Sequence, residues 1–590
     1  MLATAQSQPK VQQRHQPDTL PEFLTGLPPI LARVYSTRNI QSSIELDNSL
    51  KNLLPYQSLK GINEAISLLV DALKTNASIL IVGDFDADGA TSTAVAIRAL
   101  KLLGHANVNY LVPNRFEYGY GLTPEIVDVA YQSKPDLIIT VDNGIASIDG
   151  VARAKEYGIK VLITDHHLPA EQLPQADAIV NPNQVGDDFK CKATAGVGVI
   201  FYIMMALRAA LREQAWFNNS RVEPNLAELL DLVALGTVAD VVPLEHNNRI
   251  LVAQGIARIR AGKVSAGLKA LIKVSGRNEQ QIKASDMGFS VAPRINAAGR
   301  LDDMSVGIEC LLCDDDVHAF AIATQLDELN QSRREIEGEM KHQAFKIVDQ
   351  LIKTHSTLLE DESQNIPSAL CLYQEDWHEG VIGILASRIK EHIHRPVIAF
   401  AKAKDNCVKG SARSIQGIHL RDVLDEVSKI HPTLIDKFGG HAMAAGLTLK
   451  KENLQAFETA FIKQVTEHLT EAKLLNVLLT DGGLTEKELN LDIAELIQTA
   501  GPWGQLFPEP VFEGLFDIVT KRIVGSNHLK LVLRSPNTEH EIDAIAFNVT
   551  DEHWPTETTQ VETVYRLDIN EFRGNRTAQL LIEYIEPVVN

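Results

Sequence analysis

One pattern recurs five times between residues 78 and 183: a short segment rich in valine, isoleucine and leucine, in most cases a continuous apolar run, that ends on polar residues. The runs are Ile79–Val82, Val108–Val112, Leu137–Val141, Val161–Thr164 and Ile179–Val180. Unbroken apolar runs mark strands covered on both faces, as in a parallel sheet between helical layers. The segments between them, such as Ala90–Leu103 and Ser147–Tyr157, have the spacing of helices. The pattern therefore predicts a doubly wound α/β domain.

Ligands of such sheets bind beyond the carboxyl ends of the strands. The first run, in Ser78–Thr93 (SILIVGDFDADGATST), leads into Asp84, Asp86 and Asp88. The second ends at Pro113-Asn114-Arg115, and the third leads to Asp142. The fourth leads to Asp165, His166 and His167, and the fifth to Asn181-Pro182-Asn183. Acids on alternate residues repel one another at neutral pH, and a fold tolerates that mainly when a cation sits among them. A lone DxDxD would read as a solvated turn. Here further acids and imidazoles converge on the same sheet edge.

A later segment, Asn225–Asp240 (NLAELLDLVALGTVAD), has its apolar residues at helical spacing and ends on Asp240. An acid at a helix C-terminus meets partial negative charge, an oddity that a metal would resolve. Pro293–Asp302 (PRINAAGRLD) then places Asn296 and Arg300 among small residues. Residues 324–353 read as one long packing helix joining two domains.

A second α/β unit starts at Ala369 and contains WHEGVIGILASRI (Trp377–Ile389), VKGSARS (Val408–Ser414) and FGGHAMAAG (Phe438–Gly446). Its glycines beside Ser411, Arg413 and His441 suit loops that approach an anion with backbone N–H groups, or else tight packing turns. Val511–Pro587 alternates like strands and is dense in Lys521, Arg522, Lys530, Arg534, Arg566, Arg573 and Arg576, with Tyr565 and Phe572 among them. A small barrel of the oligonucleotide-binding kind fits, with a protein-interaction barrel as the alternative.

With 590 residues the chain is too long for one core. Its 45% hydrophobic and 22% charged content is ordinary for a globular protein. No apolar run nears the roughly 20 residues that span a bilayer. The Gln- and Pro-rich N-terminus lacks an apolar signal core, so a cytoplasmic location and disorder over about the first 24 residues are expected. A net charge of −20 argues against indiscriminate coating of duplex DNA, not against a DNA enzyme with a local basic surface. The five cysteines, Cys310-x-x-Cys313 included, lack a second pair for a zinc site and read as reduced thiols.

GDFDADG (Gly83–Gly89), TVDNGI (Thr140–Ile145), TDHH (Thr164–His167), LGTVADVVPL (Leu235–Leu244) and PRINAAGRLD together resemble the ordered motifs of the DHH phosphoesterase family. WHEGVIGILASRI, GSARS and FGGHAMAAG resemble its companion DHHA1 domain. The resemblance runs from about residue 50 to the C-terminus, with no metal-ligand position substituted. It implies an N-terminal extension (1–45), partly disordered, a DHH domain (46–320), a connecting helix (321–354), a DHHA1 domain (355–470) and an OB-like barrel with its linker (471–590). Within the family it points to the single-strand-specific 5′→3′ DNA exonucleases of recombination and repair.

Two cations roughly 3.5–4 Å apart can activate water, neutralise the phosphate and stabilise the leaving oxygen. Hard oxygen donors with a few imidazoles suit Mn2+ or Mg2+. The resemblance implies that Asp86 holds one metal and Asp88 the other, that Asp142 bridges them, and that His166 and Asp240 complete the second site. Asp84 is a ligand or a supporting acid. His167 would face the scissile phosphate, with Asp165 orienting the imidazoles. Arg115, Arg300, Ser411 and Arg413 would grip a 5′-terminal phosphate, and Asn296 and His441 would contact the strand. A single-strand-binding protein and a RecQ-type helicase are implied as partners of a monomer. The rivals are a small-substrate DHH phosphodiesterase, acting on short oligonucleotides or cyclic dinucleotides, and a non-catalytic DNA-bound scaffold.

Overall fold

The computed structural model describes every residue except 1–8, 114–120, 357–366, 470–475, 526–527, 537, 548, 550–557 and 589–590. Two compact units emerge. One comprises Pro17–Gln331 with Thr499–Glu509, the other Met1–Gln16, Ser332–Gln498 and Pro510–Asn590. Among the described residues no helix is long and apolar enough to cross a membrane.

The N-terminal stretch departs from expectation: Lys10–Gln13 is a strand, β1. Its polar side chains carry no strand signature, because the pairing that makes it a strand is entirely with backbone far along the sequence.

The first unit is built on five parallel strands, β2 (Ile79–Gly83), β3 (Val108–Leu111), β4 (Leu137–Val141), β5 (Lys160–Thr164) and β6 (Ala178–Val180), in the order β3-β2-β4-β5-β6. β2 and β4 are buried at every residue, as their predominantly Val/Ile/Leu sequences indicate. The chain leaves β2 in one direction and β4 in the other, so the crevice between their carboxyl ends is the switch point of the sheet. Asp84–Asp88 and Asp142 follow those two strands. Helices Ala87–Leu102, Gly196–Glu213 and Leu230–Ala239 pack together beside the sheet. The segment 225–240 is not one helix: a 3-10 turn, Leu226–Leu229, precedes the α-helix that Asp240 caps.

Helix Asp316–Ser356 is 41 residues long and begins earlier than its sequence pattern indicates. Arg333 on it is not left to solvent but pairs with Glu337, which Arg388 also reaches at 3.0 Å.

The other unit contains a mixed sheet of β7 (Leu370–Tyr373), β8 (Val397–Lys402), β9 (Cys407–Arg413), β10 (Lys437–Gly440) and β11 (Ala444–Lys450), ordered β10-β11-β9-β8-β7. VKGSARS and FGGHAMAAG thus form a strand and a hairpin rather than free loops. The reason is visible at Gly410: a Cβ there would lie 2.6 Å from the Phe400 ring and 2.7 Å from Leu447, so the missing side chain lets neighbouring strands pack over it.

β12 (Val477–Thr480) pairs in parallel with β1, in the register Lys10↔Val477. The chain ends in a closed barrel of β13 (Phe512–Val524), β14 (His528–Arg534), β15 (Glu541–Ala546), β16 (Gln560–Phe572) and β17 (Asn575–Pro587). Its order, β13-β14-β15-β17-β16, closes through pairing of β13 with β16, the oligonucleotide-binding arrangement.

Candidate metal centre

The loop after β2 does not stay a loop. Asp86 is the N-cap of helix Ala87–Leu102, its carboxylate accepting the Gly89 N–H at 3.0 Å, and Asp88 lies in the first turn. The positive end of that helix favours both acids. Asp88 is fully buried, and its two oxygens accept the Gly196 N–H (2.7 Å) and Val197 N–H (2.9 Å) at the start of helix Gly196–Glu213. Asp84 accepts the N–H of Phe85 at 2.8 Å.

Asp142, one residue past β4, sits at φ +62°, left-handed backbone that aspartate adopts at a cost. Asn143 secures this turn by donating to the Val82 (3.1 Å) and Val141 (2.9 Å) carbonyls, which ties β2 to β4 at the switch point. Two glycines leave room for the acids. A Cβ at Gly196 would fall 2.6 Å from Asp142 Oδ1, and one at Gly236 would fall 2.9 Å from Asp88 Oδ1.

His166 Nε2 lies 3.1 Å from Asp142 Oδ1 and 3.4 Å from Asp240 Oδ2. Asp165 stays behind the imidazoles. Its Oδ1 accepts the backbone N–H groups of His166 and His167 and lies 2.7 Å from His167 Nδ1, while Oδ2 accepts the Ile145 N–H. Among the described residues, three groups of candidate ligands each have their donor atoms within 4.8 Å of one another: Asp84 with Asp86 and Asp142; Asp88 with His166 and Asp240; and Asp142 with His166 and His167.

The electrostatics follow from that crowding. Burial, then the charge of Asp86, pushes the Asp88 carboxyl up to about 7 against the two backbone hydrogen bonds. Burial and the surrounding acids push Asp142 and Asp240 well above the ordinary carboxylate range. Burial alone would lower His167, but its hydrogen bond and proximity to Asp165 raise it to about 9. Burial opposes ionisation of Asp165, yet the His167 hydrogen bond and charge hold it below the usual range. Oxygen-rich donors that resist ionising together fit hard divalent cations, which remove the repulsion.

Of the strand-contacting residues expected from sequence, Asn296 and Arg300 lie on helix Ala292–Leu301. The Asn296 side-chain oxygen accepts the Ala87 N–H at 2.9 Å, so it braces the acid-bearing helix as its first task. Arg115 lies outside the described residues. In the other unit, Arg413 Nη1 donates to Ser411 Oγ at 3.1 Å, and burial lowers the Arg413 guanidinium. A Cβ on Gly383, at the start of helix Ile382–Ile393, would lie 2.9 Å from both side chains. Ser411 and Arg413 therefore share a helix N-terminus, a favourable place for an anion. His441 is exposed at the turn between β10 and β11. On the barrel, Tyr565 is fully buried and serves the core rather than a base-stacking surface. The Phe572 side chain lies outside what the structure describes.

Sequence reasoning missed Asn143, Gly196 and Gly236, whose roles depend on which distant helix approaches the acids. Only their small size and place beside the motifs hinted at them.

Residues 78–237 match the DHH family N-terminal domain, 367–467 the DHHA1 domain and 480–584 the RecJ OB domain. Fold and acidic edge together thus define the DHH–DHHA1 class. The single-stranded-DNA-specific exonuclease RecJ of Salmonella typhimurium is 51% identical over 577 residues, 98% of this chain and 99% of that protein. The RecJ of Escherichia coli is 50% identical over the same shares. A crystal structure of RecJ from Thermus thermophilus in complex with Mn2+ superimposes with a TM-score of 0.79 at 29% identity, covering 98% of this chain and 80% of that one. A manganese-bound RecJ structure at 34% identity gives 0.58 over 72% and 99%. The chain belongs to the RecJ family.

Proposed function

We infer that the chain is a metal-dependent exonuclease specific for single-stranded DNA, degrading it from the 5′ end to 5′-mononucleotides in recombination and repair. The observation that carries this reading is the cluster of mutually repelling acids at the sheet's switch point, in a chain half identical to RecJ enzymes over nearly its full length.

Bound Mn2+ or Mg2+ would supply an activated water and neutralise the attacked phosphate. Asp86 and Asp84 would serve one cation, Asp88, His166 and Asp240 the other, with Asp142 placed to serve both. Asp165 holds the imidazoles in orientation through hydrogen bonds to both backbone N–H groups and to His167 Nδ1. His167, held cationic by that partner, faces the phosphate being cleaved. Asn296 positions the helix that bears Asp88.

Polarity needs a grip on the 5′ end. Ser411 and Arg413 supply it in this reading, because a guanidinium fork beside a helix N-terminus matches a terminal phosphate. His441 contacts the strand backbone. The parallel-sheet domain (46–320) carries the chemistry, helix 321–354 leads on to the DHHA1 domain (355–470), and the barrel region (471–590) holds the incoming strand. A DNA-degrading enzyme works where the chromosome is, which supports a cytoplasmic location; a single-strand-binding protein and a RecQ-type helicase as partners of a monomer rest on the family resemblance alone.

The test follows a single strand labelled at one end, with Mn2+, beside the same strand in a blunt duplex. Mononucleotides released from the 5′ end with the duplex spared are expected. Intact long strands alongside rapid dinucleotide cleavage would instead assign a small-substrate phosphodiesterase.

A further inference from the structure

Strand β6 leads directly into Asn181-Pro182-Asn183. β5 and β6 pair in register as far as Thr164↔Val180, and the Asp165 N–H still reaches the Val180 carbonyl at 3.2 Å. There the ladder ends. The next two residues beyond β5 are His166 and His167, and their carbonyls need donors from elsewhere.

Side chains supply them. Asn183 Nδ2 donates to the His166 carbonyl at 2.5 Å, and Asn181 Nδ2 donates to the His167 carbonyl at 2.9 Å. On the amide side, Asp165 Oδ1 accepts the N–H groups of the same two residues at 2.7 and 3.1 Å. Each histidine is therefore held at both of its backbone groups, by one acid that follows β5 and by two asparagines that follow β6. An amide side chain suits this place. Its NH2 group meets a carbonyl, which a carboxylate would repel, and its oxygen can accept at the same time. Asn181 uses both ends: its Oδ1 accepts the Asn183 N–H at 2.7 Å.

The pair is itself braced. Asn181 is fully buried. Asn183 Nδ2 also donates to the Lys192 carbonyl at 3.1 Å, and Lys192 Nζ returns to the Pro182 carbonyl and to Asp187 Oδ1, both at 2.7 Å. The backbone of the two histidines is thus tied to a rigid turn, while their rings point to the acids, His166 Nε2 lying 3.1 Å from Asp142 and 3.4 Å from Asp240. A peptide that slipped by 1 Å would carry its ring with it, and misplacement on that scale is enough to cost about 100-fold in rate.

We propose that Asn181 and Asn183 are positioning residues: Asn183 sets His166 for the cation it would share with Asp88 and Asp240, and Asn181 sets His167 toward the phosphate being cleaved. The proposal rests on the exonuclease reading above. In that reading the two histidines have different tasks, so the two asparagines should fail in different ways. Loss of a merely structural contact would not produce that split.

The experiment uses the full chain, with Mn2+ binding followed by titration calorimetry and rates followed on 5′-phosphorylated single strands over a range of Mn2+ concentrations. Asn183→Ala should bind one of the two Mn2+ about 10- to 100-fold more weakly, the usual loss when the support of a metal ligand is removed. Asn183→Asp, which keeps the shape but offers the His166 carbonyl no N–H, should do the same. Both should regain most of the parental kcat at saturating Mn2+. Asn181→Ala should keep both Mn2+ affinities and lose about 10- to 100-fold in kcat at saturating Mn2+, with KM for the strand unchanged. Should that buried substitution prevent folding, Asn181→Ser takes its place. Parental Mn2+ affinity in both Asn183 variants would overturn the proposal, as would affinity, kcat and melting temperature falling together at both positions. A parent protein that bound Mn2+ yet left every single strand intact would overturn the exonuclease reading instead, and the calorimetry would still judge Asn183.

Discussion

The carboxyl edge of the parallel sheet and the surface of the C-terminal barrel are both rich in charge, and they handle it in opposite ways. At the sheet edge Asp88, Asp142 and Asp165 are all about 1% exposed, and the first two face like charges. On the barrel the cations are half-buried or exposed and mostly have acidic partners: Lys530 with Asp543 at 2.9 Å, Arg566 with Glu583 at 2.7 Å, Arg576 with Glu495 at 2.7 Å. Exposed pairs cost little and contribute little. Buried like charges are costly and persist in a fold only where something other than stability retains them. The comparison agrees with the proposed reading, in which the sheet edge carries the chemistry and the barrel has a supporting role.

The largest expected effect comes from breaking the sheet edge. Asp142→Asn should lower the rate by at least about a thousand-fold, the size expected when several kcal/mol of transition-state stabilisation are lost. Rates on a labelled single strand at saturating Mn2+ measure it, and retention of more than a few per cent of activity would place the shared ligand elsewhere.

Next is the cationic strand β9. Arg413→Ala should weaken use of 5′-phosphorylated ends by about 10- to 100-fold, the worth of a charge-assisted hydrogen bond. Its effect on 5′-hydroxyl ends should be smaller. Equal losses on both ends would remove Arg413 from the end-binding site.

Without metal, the crowded acids should also show in the pH dependence of stability. Asp88 titrates near 3.8 when unfolded and about 7 when folded, so between those values the folded state binds more protons. Stability of chelator-treated protein should therefore fall as pH rises through that window, and Asp88→Asn should flatten the trend. Thermal melts from pH 4 to 8 in EDTA decide this; a melting temperature that rises with pH would contradict the crowding.

The smallest effect belongs to the barrel. Lys521→Ala with Arg522→Ala should weaken single-strand binding only a few-fold and lower the slope of log affinity against log salt by about one for each phosphate no longer neutralised. A loss rivalling that of Arg413→Ala would mean the barrel does more than support.

What the sequence revealed follows the same division. Unbroken Val/Ile/Leu runs announce a two-sided parallel sheet, and acids at their ends announce a site, because both signals are local and the strand-end rule supplies the convergence. The strand Lys10–Gln13 was illegible because its partner lies more than 460 residues away and composition does not encode it. GSARS and FGGHAMAAG look like loops because glycine signals turns as readily as it signals close packing between strands, and only the facing Phe400 and Leu447 distinguish the two. Tyr565 stands among basic residues in the sequence yet is buried, because period-two alternation alone does not say which face of a barrel strand points inward.

The most direct test of the central claim, that the sheet edge is a cation site built from these acids, is Mn2+ binding by titration calorimetry on the parent protein and on Asp142→Asn. The account predicts two bound Mn2+ in the parent, and in the variant the loss of at least one, or sharply weakened affinity, with the fold intact by melting. Unchanged stoichiometry and affinity in Asp142→Asn would contradict it.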